Sequence, residues 1–246
     1  MTRLYSDLSD AEQAAWGNRA EFFSTIPPHL RPELDWRSVL SSRLAHASAR
    51  WSQGYEELVI RDYFGDKKKG VFIDIGCAWP LKGSTSCFLE CELGWTGLAV
   101  DALPDYHAGW KDKRKNSRFL NFAVSDCSLE EVTFYRHDWT GVSSLASLQA
   151  AKFGGDEKLT PITVKQITLN EILSKNDIQK IDHLTLDIEG EELNALNGFD
   201  IQSYAPQLCC IETATDQVAE YFNCHGYQLL DKYRKVDKIN WYFSPK

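Results

Sequence analysis

The sequence contains no long hydrophobic run. None of its stretches approaches the ~18 to 20 apolar residues of a membrane-spanning helix, and its first ten residues, MTRLYSDLSD, lack the apolar region of a secretory signal. It also lacks CxxC pairs and Cys/His clusters with zinc-site spacing, so its seven cysteines are interpreted as reduced thiols. These absences predict a cytoplasmic protein that has no membrane partner.

The sequence has fewer basic residues than acidic residues. Lysine and arginine together number 27, against 35 for aspartate and glutamate, which gives a formal net charge of −8. Nucleic-acid binding requires a basic face, and the one basic run, at residues 67–69, is interpreted as a solvated turn. The composition therefore predicts no nucleic-acid partner.

The dinucleotide-binding fingerprint is missing where it would be expected. Residues 71–75 form an apolar run typical of a buried parallel strand, and Asp74 interrupts this run shortly before Gly76. The fingerprint requires glycine at the first, third and sixth positions of the next loop, but these positions hold Gly76, Ala78 and Leu81. The loop favours a nucleoside ligand without phosphates. The alternative is an ordinary turn in which Asp74 caps local backbone.

What the sequence does contain is an alternation of strand and helix patterns, which predicts an α/β fold with a doubly wound parallel sheet and a C-terminal β-hairpin. Residues 84–86 are predicted N-caps of the helix after the first strand. Further strands are predicted at 97–100, 119–124, 183–186 and 206–211, an extended piece at 132–136, helices at 55–64, 192–196 and 216–224, a helix opened by a capping box at 168–171, and a hairpin of 227–230 and 239–243. Residues 137–145 are interpreted as a polar loop, and the region from there to Pro161 as loop or helix.

The first 50 residues are predicted to be a helical extension of a main domain at 51–246. Residues 10–24 have helical composition, and a second helix is predicted after Pro32. Its apolar stripe consists of Trp36, Leu40, Leu44, Ala47 and Trp51. Three interpretations of this extension remain open: it completes the core, it covers the acceptor side of a site, or it forms a homodimer contact.

Acidic residues stand at the predicted carboxyl ends of several strands. Asp101 ends the second strand, where a carboxylate can accept hydrogen bonds from both hydroxyls of a ribose. Its alternative role is the N-cap of a helix that begins near Ala102. Asp187 and Glu189 follow the fourth strand, and Glu212 ends the fifth. Carboxyl ends of parallel strands meet at one edge of a sheet, which predicts a ligand crevice there.

Several blocks of sequence, in order, resemble one known family. They are Ser52 and Gln53, VFIDIG at 71–76, Ser84, LGWTGLAVD at 93–101, AVSD at 123–126 and LTLDIEGEELNALNG at 184–198. Over roughly residues 51–245 the chain resembles the FkbM family of S-adenosylmethionine-dependent methyltransferases. The resemblance implies a Rossmann-like class I methyltransferase fold and methyl transfer to a hydroxyl group of a small molecule or sugar.

The resemblance also implies where S-adenosylmethionine binds. The loop at Gly76 is expected to hold its methionine part, Asp101 its ribose, and residues 123–125 its adenine. The full set of expected cofactor-binding residues is Gln53, Asp74, Gly76, Ser84, Asp101, Ala102, Ala123, Val124 and Ser125.

The catalytic residues are predicted to be Asp187 and Glu189, with His137 as a further candidate. An alcohol is a poor nucleophile until its proton is removed, so either acid is a candidate general base. Alternatively, Asp187 and Glu212 hold a Mg²⁺ ion that lowers the pKa of the hydroxyl. A purely structural alternative is that Asp187 and Glu189 cap the helix that starts near Gly190.

The sequence leaves two other functions open. One is a nicotinamide-dependent oxidoreductase, which the missing glycines disfavour. The other is a non-catalytic nucleoside-binding module, because Cys77, Ala78 and Thr85 stand where the family pattern has Ala, Asn and Asn.

Overall fold

A computed structural model describes residues 39–44, 47, 49–138, 140–151, 158–212 and 215–246. These residues form a seven-stranded and a three-stranded β-sheet, with helices between the strands along the chain. The predicted helix at residues 10–24 lies outside the described residues, as does the beginning of the second one.

The larger sheet is doubly wound and mostly parallel, as predicted. Its strands are β1 (Val71–Ile75), β2 (Thr96–Asp101), β3 (Ser117–Asn121), β7 (His183–Leu186), β8 (Leu208–Glu212), β9 (Tyr227–Leu229) and β10 (Asn240–Pro245). Their order is β3-β2-β1-β7-β8-β10-β9. Among these described strands, β10 pairs antiparallel with β8 and with β9, and the other neighbouring pairs are parallel. The strand order reverses between β1 and β7, the point at which α/β sheets bind ligands.

The α-helices fall largely where the sequence predicts them. They are α1 (Glu56–Phe64), α2 (Cys87–Cys91), α3 (His107–Lys113), α4 (Ser147–Ala150), α5 (Leu169–Lys175), α6 (Glu192–Asn197), α7 (Ile201–Tyr204), α8 (Asp216–Cys224) and α9 (Asp231–Arg234). Thr168 caps α5 by accepting a hydrogen bond from the backbone N–H of Glu171, which is half of the predicted capping box.

Strand β1 is apolar because both of its faces are covered. Phe72 packs in one cluster with Leu58 and Phe88, from the helices on one side of the sheet. Ile73 packs in a second cluster, which contains Leu196 of α6 on the other side. Alternate residues of a strand point to opposite faces, so the run of apolar residues follows directly from this burial.

The smaller sheet was only partly predicted. It consists of β4 (Ala123–Val124), β5 (Leu129–His137) and β6 (Leu159–Ile167), in the order β4-β6-β5. The predicted extended piece at 132–136 is confirmed within β5, and it pairs with β6. The assignment of the region up to Pro161 to loop or helix is wrong at its end, where β6 begins.

The single strand predicted at 119–124 is also wrong. It is divided between β3 and β4, which belong to different sheets. The division occurs where the side-chain amide of Asn121 donates to the carbonyls of Asp101 and Ala102, and the N–H of Phe122 donates to the carbonyl of Asp101. These bonds end the pairing of β3 with β2, and the chain then leaves the larger sheet.

The predicted helix through Trp51 is wrong in the part that the structure describes, where residues 42–44 form a single 3-10 turn. Carboxylates of α1 replace the hydrogen bonds that a helix would make. The backbone N–H of Ser41 donates to Asp62, and the N–H groups of Arg50 and Trp51 donate to Glu57. This segment still buries apolar residues against the domain, because Leu40 and Leu44 are 5% and 1% exposed.

Within the part of the chain that the structure describes, no helix combines the length and the apolar character needed to cross a bilayer.

Candidate functional site

The loops that follow β1 and β7 touch at the carboxyl edge of the sheet. Gly76, directly after β1, has a φ of +79°, and a Cβ atom added to it would lie 1.7 Å from the carbonyl oxygen of Asp187. The N–H of Gly76 donates to Val100 at 2.9 Å, and the N–H of Asp187 donates to Ile75 at 3.0 Å. Glycine is therefore required here so that the two loops can approach each other.

The rest of the loop after Gly76 is fastened at several points. Ala78 has a φ of +41°, a conformation that non-glycine residues rarely adopt. Its N–H donates to the carboxylate of Asp101 at 3.0 Å, and its carbonyl accepts from the indole N–H of Trp110 at 2.8 Å. The next residue, Trp79, is 7% exposed and makes an edge-to-face contact with Tyr106. A strained backbone held by several bonds is common where ligands bind.

Asp101 joins the loops after β1 and β2. One carboxylate oxygen accepts from the N–H of Ala78 and the other from the N–H of Leu103 at 2.8 Å. The predicted alternative, a cap of a helix near Ala102, is wrong, because the next helical turn covers residues 104–106 and has no side-chain cap. Burial raises the pKa of Asp101 to about 7, and the charges of Asp74 and Asp105 add to the rise.

Asp74 in β1 and Ser84 in the loop between β1 and α2 are both buried. Asp74 is 4% exposed and accepts a 2.6 Å hydrogen bond from the hydroxyl of Ser86. Burial raises the pKa of Asp74, whereas this hydrogen bond and the charge of Arg114 oppose the rise. Ser84 is 1% exposed, and its hydroxyl accepts from Arg114 at 3.2 Å. The predicted side-chain N-cap of the helix is absent at Ser86, because the Ser86 hydroxyl bonds Asp74 instead.

Three of the expected adenine-binding residues belong to two clusters of buried apolar residues. Ala102 and Ala123 belong to the same buried apolar cluster, whereas Val124 belongs to the main core. Ser125 is 6% exposed, and its backbone N–H donates to Ile167 at 3.1 Å.

Gln53 is exposed. Its Cγ atom lies 3.7 Å from the point where a Cβ of Gly83 would stand, so it borders the loop between β1 and α2.

Three carboxylates meet beside the loop of Gly76. One oxygen from each of Asp187, Glu189 and Glu212 lies within 4.8 Å of the others. Burial raises the pKa of Asp187 well above its ordinary range, and the charge and hydrogen bond of Glu212 raise it further. Asp187 and Glu189 follow β7, and Glu212 ends β8. The structure brings these three acids together, as the sequence predicts for the ends of neighbouring strands. Carboxylate oxygens at this separation can share a proton or coordinate a hard cation.

Neither Asp187 nor Glu189 caps helix α6, whose N-cap position is Glu191 and which has no side-chain cap. One carboxylate oxygen of Glu192 accepts from the backbone N–H groups of Ile188 and Gly190, at 3.0 and 3.1 Å. Glu189 itself has a φ of +56°. Glu192 was not predicted, although an acid in the first turn of a helix after a glycine is a recognisable signal.

The prediction that His137 lies in a polar loop is wrong. His137 ends strand β5 and is 2% exposed. Its backbone N–H donates to the hydroxyl of Ser143 at 3.0 Å. The following residue, Ser144, pairs with Tyr135 of β5 and donates its hydroxyl to the carbonyl of Glu189 at 3.0 Å. The segment after β5 thus reaches the loop that carries the acids, a contact that no sequence pattern indicated.

Comparisons with solved structures find methyltransferases. A precorrin-6y C5,15-methyltransferase from Geobacter metallireducens GS-15 is 13% identical, with a TM-score of 0.37 and 70% of each chain covered. A TehB-like SAM-dependent methyltransferase from Corynebacterium glutamicum is 13% identical, with a TM-score of 0.44, 95% of this chain covered and 100% of that one. A 1,6-didemethyltoxoflavin-N1-methyltransferase from Burkholderia thailandensis is 8% identical, with a TM-score of 0.34, and covers 94% of this chain and 83% of its own.

These likenesses are distant, and no match is found among curated proteins. The family assignment rests on a different comparison. The family model of the methyltransferase FkbM domain matches residues 74–229. That range begins at Asp74 and includes Asp101, Asp187 and Glu212 of the site. By this match, which covers more than half of the chain, the protein belongs to the FkbM methyltransferase family.

Proposed function

We propose that this protein is an S-adenosylmethionine-dependent O-methyltransferase that acts on a hydroxyl group of a small molecule or sugar. Family membership supports methyl transfer. The observation that carries the rest is the position of Asp187, whose backbone contacts Gly76 and whose carboxylate meets those of two other acids. A donor held along the loop of Gly76 has carboxylates next to its reacting end.

In this proposal the donor lies across the carboxyl ends of β1 and β2. Its methionine part follows the loop of Gly76, with Asp74 and Ser84 beneath it, and Gln53 borders the loop. Asp101 accepts from the ribose hydroxyls, since each carboxylate oxygen has lone pairs beyond those used by Ala78 and Leu103. Ala102 and residues 123–125 surround the adenine.

The reaction is a displacement at the methyl carbon. The acceptor oxygen attacks in line with the carbon–sulfur bond, the new carbon–oxygen bond forms as that bond breaks, and its electron pair stays on sulfur to give S-adenosylhomocysteine. Correct alignment contributes on the order of 7 to 11 kcal/mol to lowering the barrier. The hydroxyl proton passes to a carboxylate, and this transfer contributes roughly 10² to 10⁴ in rate.

Asp187 is the favoured base. Its pKa is raised by burial and by the neighbouring Glu212, and a carboxylate with a raised pKa is a stronger base. Glu189 is the second candidate. His137 ends the strand whose following segment contacts the Glu189 loop through Ser144, which supports it as a third candidate.

The same acids suit a divalent cation. Asp187, Glu189 and Glu212 offer oxygen ligands within 4.8 Å of one another, and Mg²⁺ prefers such ligands. When bound there, it would lower the pKa of the acceptor hydroxyl. Whether this ion takes part is decided by measuring turnover with EDTA. Activity lost with EDTA and restored by Mg²⁺ selects the metal version, and unchanged activity selects the carboxylate alone.

Calorimetric titration tests the donor. We expect S-adenosylmethionine and S-adenosylhomocysteine to bind and NAD not to bind. Binding of NAD instead would point to an oxidoreductase and overturn the proposal.

Turnover tests the acceptor, by following release of S-adenosylhomocysteine with a library of hydroxylated small molecules and sugars. The matched amines serve as the comparison. Turnover of amines but not of alcohols would contradict O-methylation. Donor binding without turnover of any acceptor would favour the non-catalytic module.

The predicted extension at residues 1–50 is proposed to cover the acceptor side of the site or to mediate a homodimer. Deleting residues 1–30 separates these roles. Retained donor binding with lost turnover supports the cover. A fall of the sedimentation coefficient from the dimer value to the monomer value supports the dimer. Global unfolding shows that the segment completes the core.

A further inference from the structure

A fully buried arginine lies behind the loop between β1 and α2. The side chain of Arg114 is 0% exposed, and its Nε atom forms a 2.7 Å ion pair with Glu90 of α2, whose side chain is 5% exposed. The guanidinium also lies over the ring of Trp110, 4.4 Å from its centroid. Arg114 follows α3 directly and so joins two helices on one side of the sheet.

The remaining N–H groups of Arg114 point to the loop between β1 and α2. Nη1 donates to the carbonyl of Pro80 at 2.9 Å and to the hydroxyl of Ser84 at 3.2 Å. Nη2 donates to both the carbonyl and the hydroxyl of Ser86, each at 3.2 Å. A single planar group therefore fixes three positions of the loop, which its fork geometry allows and a lysine would not.

This chain of bonds continues to the end of β1. The Ser86 hydroxyl that accepts from Arg114 donates in turn to Asp74 at 2.6 Å. Trp110, which stacks on the guanidinium, holds the loop at Ala78 by its indole N–H. Glu90, Arg114, Ser86 and Asp74 thus form one buried polar chain that ends beneath Gly76.

An ion pair as deeply buried as Arg114 and Glu90 is a weak stabiliser of the fold. Removing two charges from water costs several kcal/mol each, and replacing such a pair by apolar residues is often neutral or favourable. The several bonds to loop backbone and hydroxyls are what an apolar replacement would not provide. These bonds favour one loop conformation over others. The structure therefore indicates that the ion pair serves to fix the conformation of this loop.

We propose that Arg114 is a positioning residue for methyl-donor binding, which acts through Ser86 to hold Asp74 and the loop of Gly76 in the binding conformation. The proposal rests on the proposed function, in which this loop binds the methionine part of the donor.

Two serines that both contact Arg114 provide a matched test. Ser86 lies on the loop side, whereas Ser117 of β3 bonds Glu90 and accepts from Nη2 at 3.4 Å. In S86A we expect the Kd for S-adenosylhomocysteine, measured by calorimetry on the full chain, to rise about tenfold, as for loss of a hydrogen bond to a charged group. The Kd for 5′-methylthioadenosine, which lacks the amino-acid part, should stay unchanged. S117A should change neither.

Three results overturn the proposal: unchanged affinity for S-adenosylhomocysteine in S86A, an equal loss in S117A, or an equal loss for both ligands in S86A. If wild-type protein binds neither ligand, the proposed function itself fails, so the two failures are distinguishable. If S86A does not fold, R114K replaces it, because it keeps the charge but loses the fork. The same selective loss of S-adenosylhomocysteine is expected, and affinities equal to wild type contradict the role of Arg114.

Discussion

Gly76 and Asp187 are packed so closely that the first cannot carry a side chain. The backbone carbonyl of Asp187 occupies the space of a Cβ, with 1.7 Å between the carbonyl oxygen and the point where that atom would stand. The residue directly after β1 is thereby fitted to the residue directly after β7, and the loop of Gly76 is held against the loop that carries the candidate base.

This contact predicts that Gly76→Ala is strongly destabilising. The positive φ costs about 1 kcal/mol, and the clash with backbone adds enough to reach at least about 3 kcal/mol in the free energy of unfolding. The matched control is Gly226→Ala, with a φ of +81° and nothing within 4 Å of the added atom, for which about 1 kcal/mol is expected. Urea denaturation measures both. Equal losses would show that the contact with Asp187 is not decisive.

The pKa of Asp101 predicts a pH-dependent stability. The folded value of about 7 lies above the unfolded value of about 3.9, so between these values the folded state binds more protons. The free energy of unfolding of the wild type should therefore fall relative to that of Asp101→Asn as the pH rises from about 4 to 7. Urea denaturation at pH 5, 6.5 and 8 tests this. A difference that stays constant with pH would contradict the raised pKa.

Asp187→Asn is expected to reduce turnover by about 10² to 10⁴. Because burial and Glu212 raise the pKa of Asp187, the wild-type rate should increase with pH at values above the usual carboxylate range near 4. This rise of the rate with pH should be absent in Asp187→Asn. Asp216→Asn, an exposed acid at the start of α8, is the control. An unchanged rate and profile in Asp187→Asn would remove this residue as the base.

Glu192→Ala should loosen the loop that carries Asp187 and Glu189. It leaves the N–H groups of Ile188 and Gly190 without their carboxylate acceptor, and a loss of about 1–3 kcal/mol in stability is expected. In the proposed reaction this loop faces the acceptor, so turnover should fall more than donor affinity. Glu192→Gln keeps an acceptor oxygen and should recover most of the turnover. A glutamine variant as impaired as the alanine variant would contradict this role.

The inner strands of the larger sheet could be predicted because they are buried on both faces. The run at 71–75 and the pattern at 183–186 are dictated by local burial, and helix α8 carries its apolar stripe and its N-cap within its own sequence. Strand β6 was missed although Ile162 and Val164 alternate with polar residues, because Pro161 in such a run argues against an internal strand.

Long-range contacts could not be predicted in the same way. The bond from Ser144 to Glu189 and the pair of Arg114 with Glu90 join residues far apart in the chain, and no local spacing encodes them. The acids at the strand ends were predicted to meet because parallel strands align their carboxyl ends. Glu192 accepts hydrogen bonds from the loop of Glu189 because its side chain reaches that loop. The pattern of strands does not specify such a contact.

The pairing of β1 with β7 has a consequence for how the chain reaches this state. Phe72 pairs with His183, so about 110 residues of synthesis, on the order of 10 s on the ribosome, separate the two strands. Until then one edge of β1 has no neighbour, and pairing across so long a loop slows folding. Gly76 can therefore meet the carbonyl of Asp187 only after most of the chain has been made, so the site cannot form early in synthesis.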